Sequence, residues 1–189
     1  RLDGTEHVIA TTPDGKEERL HADIILVATG TRPRELDDAK PDGERILNWK
    51  QLYNLREMPR KLIVVGSGVT GAEFASAYHA LRCEVVLVSS REMVLPSQDA
   101  DAARVIQEVF ERRGMEILSR SRAVAARRTE DGVIVTLADG REVEGSHVLM
   151  AVGSIPNTED LGLEEAGIEL TTSGHIKVDG VSRTSARGV

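Results

Sequence analysis

VVGSGVTGAE, residues 64–73, is the stretch that decides how this chain folds. Gly66, Gly68 and Gly71 stand in GxGxxG spacing. The spacing alone is common, and its setting makes it specific. It follows the apolar run 62–65, which reads as a strand buried on both faces. It opens a small-residue helix predicted over 70–81, and a second apolar run follows at 84–88. In such a strand–turn–helix unit the first glycine permits the tight turn, the second lets a pyrophosphate approach the backbone, and the third lets helix and strand pack closely. The N-terminus of the helix then holds the phosphates with free N–H groups and its dipole. Ser67, Val69 and Thr70 fill the same turn, so 66–71 is the core of a candidate dinucleotide site.

Working outward, the end of the second strand is where NAD enzymes place a carboxylate on the ribose 2′-hydroxyl. Here Ser89, Ser90 and Arg91 occupy that position, and Glu92 comes late. A carboxylate would repel a 2′-phosphate, whereas hydroxyls and a guanidinium receive one. The expectation is tolerance of NADP without exclusion of NAD. Glu73 reads either as an acid favoured by the helix dipole or as an acceptor for the nicotinamide carboxamide.

Beyond this unit, 101–113 reads as a second helix closed by Gly114, MEIL (115–118) as a short strand, and 121–150 as a β-meander. The fold class expected is α/β: a Rossmann-like doubly wound parallel sheet with a meander, plus partial strands of a flanking domain. The 31–60 stretch reads as a polar connection with a short helix near 48–55, and 157–189 as a series of turns.

The 189 residues are 40% hydrophobic, 29% charged and only 3% aromatic, with a net charge of −7. That balance argues against nucleic acid or an anionic membrane as the main partner. No apolar run approaches a membrane span, and no signal peptide is seen, which makes the cytoplasm the default expectation. Cys83 is the single cysteine and reads as a buried, inert thiol. The five histidines lack ligand spacing, so no metal is expected. A short-chain dehydrogenase would want Tyr-x-x-x-Lys, yet Tyr53 is followed by Glu57 and Tyr78 by Arg82. A methyltransferase would want an acid at the end of the second strand.

A repeat suggests the wider organisation. ILVATGTRP (25–33) and VLMAVGSIP (148–156) share one pattern, and each follows an Asp-Gly turn, Asp14-Gly15 or Asp139-Gly140. The second copy would return to the parallel sheet and leave at Gly153 beside the dinucleotide. By symmetry the first, ADIILVATG (22–30), is expected as a buried strand closing a second nucleotide-binding unit. The domains expected are therefore 1–45, a piece of a first domain; 46–156, the NAD(P)-binding domain; and 157–189, a return to the first. The chain opens on Arg1 rather than Met and reads as cut at both ends.

With LIVVGSGVTGAEFASAYHALRCEVVLV, ADIILVATGTRP, VGSIPNTEDLGL and VDGVSRTSARGV, essentially the whole chain resembles the flavin-dependent pyridine nucleotide-disulfide oxidoreductases of the dihydrolipoamide dehydrogenase and glutathione reductase type. PDGERIL (41–47) and VEGSHVLMAVGSIPNT (143–158) are especially similar to the actinobacterial branch of lipoamide-dehydrogenase-like NAD(P)H:quinone reductases. The resemblance implies an FAD domain, an inserted NAD(P) domain and a C-terminal domain that forms a homodimer. It implies hydride passage from NAD(P)H to FAD and then to a small-molecule acceptor, a quinone or a disulfide such as lipoamide. It places Val124 and Gly153 near the adenine and nicotinamide ends, and Thr29 and Gly30 near FAD. Ser154 departs from the pattern, since family members often carry Arg there. The redox cysteine pair, the Gly-Asp flavin motif and the His-Glu acid–base pair would all lie outside 1–189, so the catalytic residues are expected outside this segment. A non-catalytic NAD(P)-binding module is the reading of a different class.

Overall fold

The computed structural model describes residues 1–189 and separates into two compact units. One is built from 33–153, the other from 1–32 together with 154–189. These boundaries fall at 32/33 and 153/154, where the sequence put them at 45/46 and 156/157. The physical reason lies in 33–45, which delivers a short strand to the edge of the larger unit's sheet and packs Leu36 and Ala39 into its core.

In chain order, β1 (His7–Thr11) and β2 (Glu17–His21) form an antiparallel hairpin whose Gly15 has φ +82°. β3 (Thr31–Pro33) leads out of this smaller unit. The larger unit then runs β4 (Ile46–Leu47), α1 (Trp49–Leu52), β5 (Lys61–Val65), α2 (Val69–Ala80), β6 (Glu84–Val88), α3 (Ala100–Arg112), β7 (Glu116–Leu118), β8 (Ala123–Arg128), β9 (Val133–Leu137), β10 (Glu142–Gly145) and β11 (His147–Met150). Back in the smaller unit, β12 (Ser154–Pro156) pairs with β3.

The heart of the larger unit is a five-stranded parallel sheet in the order β4-β11-β5-β6-β7. Its apolar runs are continuous because both faces are covered. Side chains alternate between the faces with period two. Leu47, Leu62, Val64, Val85, Leu87 and Leu149 pack with Ala72, Ala75 and Phe110 of α2 and α3. Ile46, Ile63, Val65, Val86, Val88, Val148 and Met150 pack instead against Val133, Val135 and Leu137 of the meander β8-β9-β10. The molecule's Rossmann-like sheet thus carries its helices on one face and its meander on the other. Each fully buried Val or Leu contributes about 1.5–3 kcal/mol.

Local chemistry places the helices. Asn48 caps α1 through a reciprocal pair with Gln51, its Oδ1 accepting from Gln51 N and its own N donating to Gln51 Oε1. Asp99 caps α3, accepting from the amides of Asp101 and Ala102. α2 buries small residues, which brings its axis close to β5. The sequence missed β4: two residues are too short for a periodic signal, and only pairing with β11 makes them a strand.

One expectation is overturned. ADIILVATG is not a buried strand, for 22–30 has no ladder, and Ile24 and Leu26 are 79% and 85% exposed. A strand buried on both faces needs neighbours for its N–H and C=O groups, and 1–189 supplies only isolated bonds, such as Ile25 N to Gly188 O at 2.8 Å. The alternation survives without the sheet. Ile25 and Val27 turn towards the small cluster of Leu2, Leu163 and Ile168, while Ile24 and Leu26 face outwards.

Cys83 lies buried between α2 and β6, with its Sγ donating to Glu84 O at 3.3 Å. Burial pushes its thiol up from the ordinary value, so it stays protonated and unreactive at neutral pH. In the native whole protein at pH 7.5, iodoacetamide is expected to leave the Cys83 peptide unlabelled, and to label it fully after denaturation, as read by mass spectrometry. Labelling in the native state would contradict the burial. No helix is long and apolar enough to cross a membrane, and no group of three His, Cys, Asp or Glu side chains is placed to hold a metal ion.

Candidate cofactor-binding site

β5, with β6 and β7 on one side and β11 on the other, places the reversal of strand order between β5 and β11. Ligands of open parallel sheets bind at the carboxyl edge of such a switch point. The glycine turn 66–68 sits there. Gly66 has φ +109°, a left-handed conformation that favours glycine, and a Cβ on it would lie 2.2 Å from Ala151 O, just past β11. A Cβ on Gly71 would lie 1.8 Å from Gly66 O, so α2 can approach β5 only without a side chain there. Gly68 differs from both. A Cβ on it would meet nothing within 4 Å, and its backbone is extended. Two glycines are demanded by the protein's own packing, whereas the third faces open space where a ligand would come.

Gly68 is also the N-cap of α2 and offers no side-chain cap. The amides of Val69, Thr70 and Gly71, in the first turn, therefore lack intrahelical acceptors. Val69 and Thr70 are exposed. These uncapped amides, the dipole behind them and the room over Gly68, where a Cβ would meet nothing within 4 Å, fit a pyrophosphate. Glu73 lies just beyond that first turn, exposed and without an ion-pair partner. Gly153, at φ +107°, ends the larger unit and accepts from Arg34 N through its carbonyl at 3.0 Å.

The end of β6 is laced to the glycine turn by a bond that sequence reasoning did not anticipate. The hydroxyls of Ser67 and Ser89 lie 2.7 Å apart, both buried. Ser89 Oγ also accepts from Arg91 N and donates to Arg91 O, each at 3.1 Å. A hydroxyl with one proton and two lone pairs is then fully used. Ser89 is 0% exposed and ties the two loops together, so the groups presented to solvent at this strand end are Ser90 and Arg91. A glutamate in place of Ser89 would break that tie as well as add charge, which makes Arg91 the better position for probing cofactor preference.

Arg120 is a second feature that the sequence reading passed over. It follows β7 at φ +52°, donates its amide to Arg91 O at 2.8 Å, and pairs with Glu92 at 2.6 Å. The signal available was Arg-Ser-Arg at 120–122, one residue beyond a strand that ends at the carboxyl edge. Val124, on β8, is 42% exposed. In the smaller unit, Thr29 and Gly30 are exposed, and Gly30 has φ +69°. Their carbonyls accept from Asn157 Nδ2 and Asn157 N, each at 3.0 Å, and Arg32 holds Glu159 with two contacts of 2.9 and 3.1 Å.

A glycine turn at the switch point of a parallel sheet, followed by an uncapped helix, defines a dinucleotide-binding α/β unit. The model of the pyridine nucleotide-disulphide oxidoreductase family matches residues 2–189, and the chain belongs to that family. It is 54% identical over 180 residues to an NAD(P)H dehydrogenase (quinone) of Mycobacterium tuberculosis, covering 95% of this chain and 36% of the relative. It is 35% identical to a dihydrolipoyl dehydrogenase of Zymomonas mobilis, covering 98% and 40%. The crystal structure of LpdA from M. tuberculosis superposes with a TM-score of 0.85 at 52% identity, over 99% of this chain and 42% of that one. The chain thus spans about two fifths of the length of these relatives.

Proposed function

We propose that this chain is the nicotinamide-nucleotide-binding centre of an FAD-dependent oxidoreductase that oxidises NAD(P)H and reduces a quinone. The observation that carries the reading is the contrast among the three glycines: Gly66 and Gly71 are packed shut, and Gly68 stands open beneath an uncapped helix. When bound, the nucleotide supplies a hydride and the flavin passes the electrons on. The chain's own part is to bind and orient. The amides of Val69, Thr70 and Gly71 hold the pyrophosphate, Ser90 and Arg91 receive the ribose end, Val124 flanks the adenine, and Glu73 and Gly153 border the nicotinamide. Ser67 and Ser89 hold the two loops in register. Thr29 and Gly30 contact FAD in the smaller unit, which is a part of the flavin domain, and 33–153 is the NAD(P) domain.

The quinone is favoured because 54% identity to an NAD(P)H dehydrogenase (quinone) exceeds the 35% to a dihydrolipoyl dehydrogenase. Family resemblance further supports a cytoplasmic homodimer. To test the activity, the visible spectrum of the whole protein is recorded anaerobically, then with NADPH or NADH, then with acceptor. Bleaching by the nucleotide and restoration by a quinone alone is the expected result. Restoration by lipoamide would make it a disulfide reductase, and a colourless protein that binds nucleotide would leave a binding module.

The absence of a carboxylate at the strand end predicts NADPH binding at least as tight as NADH. Replacing Arg91 by Gln is expected to weaken NADPH about tenfold, the value of one charge-assisted bond, and to leave NADH unchanged in a calorimetric titration. An unchanged ratio would place the ribose elsewhere.

A further inference from the structure

We infer that Arg120 is a specificity-determining residue for the 2′-phosphate of NADPH, held ready by Glu92 as its resting counter-ion. The inference rests on the nucleotide site proposed above and extends it to a residue on a different loop from the one after β6.

Three backbone bonds bring that loop into place. Ser89 N donates to Leu118 O at 2.9 Å, Ser121 N to Ser89 O at 2.7 Å, and Arg120 N to Arg91 O at 2.8 Å. They prolong the parallel pairing of β6 with β7 beyond the strands themselves. Residues 119–121 are therefore fixed beside 89–91 at the carboxyl edge that carries the glycine turn. Arg120 adopts φ +52°, a left-handed conformation that a long side chain rarely takes. The lacing to Arg91 and Ser89 holds it there. Arg91 itself has no carboxylate partner, and its carbonyl receives the Arg120 amide, so two guanidinium-bearing residues are joined through their backbones next to the exposed Ser90.

The charges favour an anion. Arg120 contacts Glu92 at 2.6 Å, but both side chains are 72% exposed. Such a surface pair contributes little and exchanges readily. A phosphate offers a guanidinium two parallel bonds and a larger opposing charge than a carboxylate. On arrival of the 2′-phosphate, Arg120 exchanges Glu92 for the ligand, while NADH, with only a hydroxyl, gives it no reason to move. Glu92 then weakens NADPH binding by competing for Arg120, and it leaves NADH unaffected.

The test uses the whole protein and isothermal titration with 2′,5′-ADP, 5′-AMP, NADPH and NADH, so that no readout depends on turnover. Arg120→Gln is expected to weaken 2′,5′-ADP and NADPH about tenfold and to leave 5′-AMP and NADH unchanged. Glu92→Gln is expected to tighten 2′,5′-ADP two- to threefold, on the order of one exposed ion pair. Arg122→Gln, which removes a neighbouring charge, is expected to change little. Equal weakening by Arg122→Gln, or equal loss of NADH and NADPH in Arg120→Gln, would overturn the assignment to Arg120 and leave the nucleotide site standing. A wild-type protein that binds none of the four would overturn the site itself. Both arginines and Glu92 are exposed, and thermal melts of the three variants verify that they fold.

Discussion

Gly66→Ala and Gly71→Ala are each expected to lower the melting temperature of the whole protein by about 10 °C or more, or to abolish soluble expression. Overpacking typically costs about 1–3 kcal/mol, and more where the obstacle cannot rotate away. Here the obstacles are backbone carbonyls, Ala151 O at 2.2 Å and Gly66 O at 1.8 Å. Gly66→Ala adds the strain of a side chain at φ +109°. For Gly71→Ala, relief requires α2 to lift off β5, opening the layer of Val64, Ala72 and Ala75. Against a total stability of about 5–15 kcal/mol, losses of this size are decisive. Melts of both variants within a degree or two of wild type would show that the turn is not packed as described.

Gly68→Ala should behave in the opposite way. Its Cβ meets nothing within 4 Å, and an extended backbone suits alanine. Melting is expected within about 1 °C of wild type, the range of a harmless surface change. Binding of NADPH and NADH is expected to fall on the order of a hundredfold, because the methyl group would hold the pyrophosphate off several charge-assisted bonds at once. The two nucleotides should suffer alike, since the pyrophosphate is common to both. That equality separates the phosphate cradle from the ribose end, where Arg91 and Arg120 should affect NADPH alone. Unchanged binding in a folded Gly68→Ala protein would remove the central support for the proposed function.

The glycine turn was legible in the sequence because its signal is local. Gly66, Gly68 and Gly71 lie between two apolar runs, and short-range sterics demand small residues wherever a chain turns sharply from strand into helix. The same holds for the glycine-terminated α3 and the hairpin at Asp139-Gly140, each set by neighbours along the chain. The motif gave each glycine its own part, turn, approach or packing, but not the atoms that each would meet. Gly66 meets Ala151, which comes 85 residues later (151 − 66) and reaches it only because β11 inserts beside β5, whereas Gly71 meets the Gly66 carbonyl and Gly68 meets nothing.

Spacing and the apolar runs by themselves determined that the chain builds a parallel α/β sheet with a glycine turn between strand and helix. Tertiary structure alone decided the rest. Ile46–Leu47 became a strand through its partner, and ADIILVATG lost its strand for lack of one, since a ladder needs two edges and periodicity describes only one. Ser89 turned inwards to Ser67, although its position along the chain suggested the ribose. Arg120 came to Arg91 across 29 residues (120 − 91) through backbone bonds that prolong the pairing of β6 with β7. Turns and buried runs follow from chemistry within a few residues, whereas pairing, burial of a particular hydroxyl and convergence of charges are properties of distances that only the folded chain possesses.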